Sequence, residues 1–104
     1  MDRILSLLGL AYRANKIKFG ESVLENIKTC QYLFIADDAS DKTKERYIKK
    51  CDYYNIPYTT TYSSEQLSES LGKKMVKIVG VYDRGFKKLF IESKERRVYG
   101  KTNI

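Results

Sequence analysis

The stretch Tyr32-Leu33-Phe34-Ile35-Ala36 is apolar at every position and stops at Asp37-Asp38. A strand with one wet face alternates apolar and polar residues, so an unbroken run reads as a strand covered on both faces. Lys77 to Tyr82 reads as a second apolar strand. Chains built around such strands need helices above and below the sheet.

The intervening segments supply them. Arg3 to Arg13 carries Ile4, Leu7, Leu8 and Ala11 on one helical stripe, and Ala14-Asn15 ends it. Lys16 to Phe19 is a short extended segment closed by Gly20. A helix is expected from Glu21 to about Lys28, with Val23, Leu24 and Ile27 inward. Ser40 caps a longer helix whose inward stripe is Tyr47, Ile48, Cys51 and Tyr54, and Asn55 and Pro57 end it. Tyr58 to Tyr62 is β-branched and aromatic, hence a strand. Ser63 with Gln66 forms a capping box for a helix burying Leu67 and Leu71, stopped by Gly72. Asp83 caps a last helix with Phe86, Leu89 and Phe90 inward. The fold class expected is α/β, a three-layer α-β-α sandwich with a mixed sheet of about four strands.

Charge points to the partner. The 104 residues hold twenty Lys/Arg against thirteen Asp/Glu, a net charge of +7. That excess attracts polyanions, and each neutralised phosphate of a nucleic acid releases a counterion. There is no histidine, so a Ser-His-Asp triad, a Cys-His nucleophile pair and a Cys/His zinc site are excluded within these residues. Cys30 and Cys51 show no metal or pairing spacing and read as reduced, space-filling residues, which implies a cytoplasmic location. Asp37, Asp38 and Asp41 follow a strand as magnesium ligands do, but Ser40-Asp41 reads as a helix start and no second acidic cluster supports two-metal chemistry. No enzyme activity, metal or cofactor is therefore expected. No apolar run approaches a membrane span, and Ile4 to Ala11 lacks the flanks of an export signal.

Several fragments carry a family resemblance. Leu8-Gly9-Leu10-Ala11-x-Arg13-Ala14-x-Lys16 precedes Gly20-Glu21. Ala36-Asp37-Asp38-Ala39-Ser40 and Cys51-x-Tyr53-Tyr54-Asn55-Ile56-Pro57-Tyr58 follow, then Leu67-x-x-x-Leu71-Gly72-Lys73 and Val81-x-Asp83-x-Gly85-Phe86. In that order and spacing, over residues 4 to 91, they resemble the YlxQ-type bacterial branch of the ribosomal L-seven-Ae family. The resemblance implies the same sandwich and a kink-turn RNA ligand, a duplex bent sharply at a bulge.

It also implies where that RNA sits. Family members grip it with the glycine and helix start after the first strand, and with the loop between the fourth helix and the last strand. Here the first piece holds Gly20, Glu21, Ser22, Glu25, Asn26 and Lys28, with Arg13, Lys16 and Lys18 just before it. A glycine lets RNA approach the backbone, and free N–H groups at a helix start favour phosphates. The second piece holds Gly72, Lys73, Lys74, Met75, Val76 and Lys77. Its lysines supply charge, and Met75 and Val76 can pack on an extruded base. The family pattern places a polar residue, often Asn, an acid or amide, and a lysine at the second, third and sixth positions after the glycine. These are Ser22, Val23 and Asn26 here. Compared with the family, the segment to the next strand is also about three residues shorter, so a gap could align Glu25 or Lys28 with the family lysine.

Residues 1–93 are expected to form a single RNA-binding domain and residues 94–104 a basic C-terminal tail. Of the tyrosines, Tyr47, Tyr54, Tyr58 and Tyr62 are expected inside, and Tyr12, Tyr53 and Tyr99 outside. The partners implied are a kink-turn or related structured RNA, with ribosomal RNA as one source, and other ribosomal or translation proteins; no membrane is implied. A protein-interaction module of the same fold, with weak non-specific RNA affinity, is the competing reading.

Overall fold

In the computed structural model, residues 2–102 are described, with side chains placed through Ser93. Helix α1 (Arg3–Arg13) begins at Asp2, whose carboxylate accepts the Ile4 N–H at 2.7 Å and the Tyr62 hydroxyl at 3.0 Å. Strand β1 (Ile17–Phe19) leads through Gly20 into α2 (Glu21–Glu25) and a 3-10 turn at Ile27–Thr29. Then come β2 (Tyr32–Ile35), α3 (Asp41–Tyr54), β3 (Tyr58–Thr59), α4 (Ser64–Leu71), β4 (Ile78–Val81) and α5 (Arg84–Thr102). The sheet order is β1-β4-β2-β3, with β2 and β3 parallel and the other pairs antiparallel. This is the mixed four-stranded sandwich expected.

Alternation along the two central strands sorts the core into halves. Tyr32, Phe34, Val79 and Val81 face α1, α4 and α5. Leu33, Ile35 and Ile78 face α2 and α3, meeting Val23, Ile27, Tyr47 and Cys51. Phe90 pins α5, its ring 5.1 Å from Phe34 and 5.4 Å from Tyr32. Burial pushes the Cys30 thiol up to about 11 and the Cys51 thiol to about 12, so both stay protonated and inert near neutral pH.

Three expectations change in detail. Helix α2 stops at Glu25 rather than Lys28, because Asn26 (φ −120°, ψ 27°) leaves helical geometry and its amide donates to the Ser22 carbonyl at 2.9 Å. Strand β3 is two residues, not five. Past it, Thr59 Oγ1 accepts the Thr61 N–H at 3.3 Å and turns the chain away, while the Tyr62 carbonyl takes the Asp37 N–H at 2.8 Å. Of the tyrosines expected inside, Tyr47 and Tyr62 are buried, whereas Tyr54 and Tyr58 are half-buried. Tyr53 is exposed, Tyr12 is half-buried, and the side chain of Tyr99 lies outside the described residues. The backbone of the segment expected as a basic tail continues α5 as far as Thr102; its side chains, and residues 103 and 104, also lie outside the described residues.

Gly80 sits on β4 beneath α2. A methyl group there would come within 3.1 Å of Val23 Cγ2 and 3.0 Å of the Tyr82 ring. Gly80→Ala should therefore lower stability by about 1–3 kcal/mol through overpacking, read as a lower urea midpoint with an unchanged slope.

Candidate nucleic-acid interface

Antiparallel pairing of β1 with β4 sets Phe19 opposite Val79. The end of β1 therefore meets the start of β4. The Gly20 N–H donates to the Ile78 carbonyl at 3.3 Å, and a cleft of about 380 Å³ opens there, lined by Phe19, Gly20, Lys73, Lys74, Met75, Val76, Lys77 and Ile78. Two segments more than fifty residues apart in the chain thus form one surface.

Gly20 has φ 51° and ψ −127°, a backbone region essentially restricted to glycine. No atom lies within 4 Å of where its Cβ would be, so backbone rather than side chain borders open space there. Its carbonyl accepts the Val23 N–H at 2.9 Å and the Tyr47 hydroxyl at 3.0 Å. Tyr47 thus anchors the glycine turn from α3. Burial, then the nearby Glu21 carboxylate, pushes the Tyr47 hydroxyl above its ordinary value. Because α2 has only five residues, its aligned dipole is small, and the local N–H groups matter more than the helix as a whole. Glu21 turns its carboxylate toward Arg46 of α3, at 3.4 Å.

The opposite wall is built from α4. Gly72 ends that helix at φ 66°, and the Lys73 N–H donates to the Ser68 carbonyl at 3.0 Å. The Lys73 ammonium stands 4.7 Å from the centre of the Phe19 ring and 5.8 Å from that of Tyr12. Such contacts hold a cation over an aromatic face while leaving its hydrogen-bond donors free. Lys18 points to the other face of β1, its ammonium 5.7 Å from the centre of the Tyr82 ring. One lysine is therefore steadied on each side of the same strand.

The residues singled out from sequence divide into groups. Gly20, Lys73, Lys74, Met75, Val76 and Lys77 share the cleft, with Gly72, Glu21 and Ser22 adjoining it in the chain. Met75 is 81% exposed at φ 57°, whereas Val76 is 6% exposed, its N–H held by Ser68 Oγ at 3.0 Å. Met75 thus offers the apolar surface, and Val76 anchors the loop in the core. Arg13 and Lys16 are exposed at the far end of β1, roughly 13 Å of extended chain from Gly20 for Lys16. Glu25, Asn26 and Lys28 are exposed beyond the lining of the cleft. Val23, third after the glycine, is fully buried against Gly80 and does not reach the surface.

Phe19, Tyr12, Tyr47 and Arg46 belong to this site without having been picked out for it. The available signal was an aromatic alternating with lysines in Lys16-Ile17-Lys18-Phe19. Of the acidic trio, Asp38 is engaged by α4: its carboxylate takes the Ser64 hydroxyl at 2.6 Å and the Ser64 N–H at 2.7 Å, which hold its pKa below the usual value. Among the described residues no group of three potential metal ligands forms, and no helix is long and apolar enough to cross a membrane.

Fold and site together define an α-β-α sandwich with a basic, glycine-floored cleft at one end of its sheet. The chain belongs to the ribosomal protein L7Ae/L30e/S12e/Gadd45 family, whose model matches residues 2–91. It is 39% identical over 83 residues to the RNA-binding protein YlxQ of Bacillus subtilis (strain 168), covering 77% of this chain and 83% of that one. It is 34% identical over 91 residues to the RNA-binding protein YlxQ of Enterococcus faecium, covering 84% and 86%. The YlxQ-type resemblance read from the motifs thus holds. A Bacillus halodurans protein of unknown function has the same fold, with TM-score 0.82, 30% identity and coverage of 89% of this chain and 97% of that one. The Giardia lamblia 15.5kD RNA binding protein, at 18% identity, shares the fold with TM-score 0.74, over 88% of this chain and 82% of its own.

Tyr47→Phe tests the anchor. Losing the bond to Gly20 should cost about 0.5–1.5 kcal/mol at neutral pH. A raised folded-state pKa gives stability that is full below the ordinary value of 10.0 and is lost as pH rises through the folded value. Stability of the variant should therefore decline less steeply above that pH, measured by urea unfolding at intervals along the alkaline limb.

Proposed function

We propose that this protein is a non-catalytic RNA-binding protein that grips a sharply bent, kink-turn-like element, with ribosomal RNA as its source. The carrying observation is the single cleft shared by the Gly20 turn and the lysine-bearing loop from Gly72 to Lys77. A concave, basic surface with a side-chain-free floor suits two phosphate backbones brought close at a bend. Lys73, Lys74 and Lys77 neutralise phosphates. The backbone N–H groups of Glu21 and Ser22 meet phosphate or base acceptors beside Gly20. Met75 covers the extruded base. Arg13, Lys16 and Lys18 extend the phosphate contacts along β1.

Family membership and the two RNA-binding relatives support this reading. Base reading is the weaker part of it. Val23 is inside, and the Asn26 amide is engaged with the Ser22 carbonyl. Neither Glu25 nor Lys28 lines the cleft. Recognition therefore rests on shape and backbone more than on a guanine contact of about 1–3 kcal/mol. A cytoplasmic, ribosome-associated setting, among other translation proteins, fits the two buried, protonated thiols.

Gel-shift titrations at two salt concentrations should show preference for a kink-turn duplex over a straight duplex at both. Equal, steeply salt-sensitive binding to the two would mean phosphate attraction alone, and no binding at low salt would favour a protein-interaction module. Gly20→Glu should abolish the preference. Because that turn is also strained for any side chain, a second variant carries the test: Lys73→Ala with Lys74→Ala should weaken binding and reduce the salt slope by about two.

A further inference from the structure

The outer surface of α3 carries a row of basic residues outside the lining of the cleft. Lys42, Arg46, Lys49, Lys50 and Tyr53 recur at i, i+4, i+7, i+8 and i+11 and so share one face of the helix. All five are exposed, Tyr53 to 77%, and they border one open depression. Asp41 and Asp52, at i and i+11, lie along the neighbouring flank, while Glu45 borders the same depression and pairs with Lys49. Tyr47 and Cys51 face the core.

Two contacts fix which flank adjoins the cleft. Arg46 meets Glu21 at 3.4 Å, and the neighbouring Tyr47 hydroxyl donates to the Gly20 carbonyl. The basic row is therefore joined to the glycine turn. From Lys42 to Tyr53 the stripe runs about 16 Å along the helix axis. The Lys49–Glu45 pair at 3.4 Å is exposed on both sides and leaves the ammonium available for exchange.

We propose that this α3 stripe is a second RNA-binding surface, which tracks the phosphate backbone of one helical stem leaving the kink. The inference rests on the RNA reading of the cleft and adds a ligand segment that the cleft does not contact. A row of lysines and an arginine along a helix neutralises successive phosphates without reading sequence. Tyr53, at the end of the row, offers a hydroxyl to phosphate or ribose.

The test pairs two RNAs with one variant. One kink-turn RNA has two long stems, and the other has both stems trimmed to a few base pairs. The variant combines Lys42→Ala, Lys49→Ala and Lys50→Ala, leaving Arg46 with Glu21. Anisotropy titrations should show about tenfold weaker binding of the variant to the long-stemmed RNA, with a salt slope smaller by about two to three. Binding to the trimmed RNA should stay within about twofold of the unaltered protein. Arginine at the same three positions should restore affinity for the long stems. Equal loss on both RNAs, or no loss on either while the unaltered protein still prefers kinked RNA, overturns the stem contact and leaves the cleft reading standing. Failure of the unaltered protein to bind either kinked RNA removes both.

Discussion

The antiparallel register of β1 against β4 is the constraint from which the site follows. With Phe19 opposite Val79, the chain leaves β1 just where it enters β4, and the Gly20 N–H closes onto the Ile78 carbonyl. That register in turn depends on β4 lying between β1 and β2 with both faces covered. One side is filled by Val79 and Val81 against the helices carrying Leu8, Leu67 and Phe90. The other is filled by Ile78 and by Val23 seated over Gly80. A shift of one residue would exchange these faces and expose the apolar set.

Surface chemistry is tied to this frame by few bonds. Tyr47 reaches from α3 to hold the Gly20 carbonyl, and Ser68 reaches from α4 to hold the N–H of Val76. Each comes from a helix packed on the sheet, so the glycine turn and the lysine loop are positioned by the core. The lysines are steadied in a different way. Lys73 rests on Phe19 and Tyr12, and Lys18 on Tyr82, contacts that orient an ammonium without consuming its donors. Preorganised charge of this kind binds phosphate at less entropic cost than free surface lysines.

Charge placement continues beyond the cleft. On α3 Lys42, Arg46, Lys49 and Lys50 share one exposed face, and the Arg46–Glu21 contact joins that face to the glycine turn. Exposed ion pairs contribute little stability. That basic face is therefore better understood through what approaches the surface than through what holds the fold together.

The sequence by itself determined the elements and the class of fold. Caps at Ser40 and Ser63, the stop at Gly72 and the apolar runs of β2 and β4 are local signals, fixed by hydrogen bonding within a few residues and by burial of every position in a strand. It also supplied the family and the two segments of the cleft. Its errors were local as well: the amide of Asn26 ended α2 early, and a threonine turn shortened β3. Only the tertiary structure decided which side chains meet. Val76 turned inward while Met75 stayed out, Tyr47 was aimed at Gly20, Lys73 came to lie over two rings, and one flank of α3 was joined to the cleft. These outcomes depend on strand order and on helices crossing a shared sheet, contacts between residues distant in the chain that no local pattern encodes.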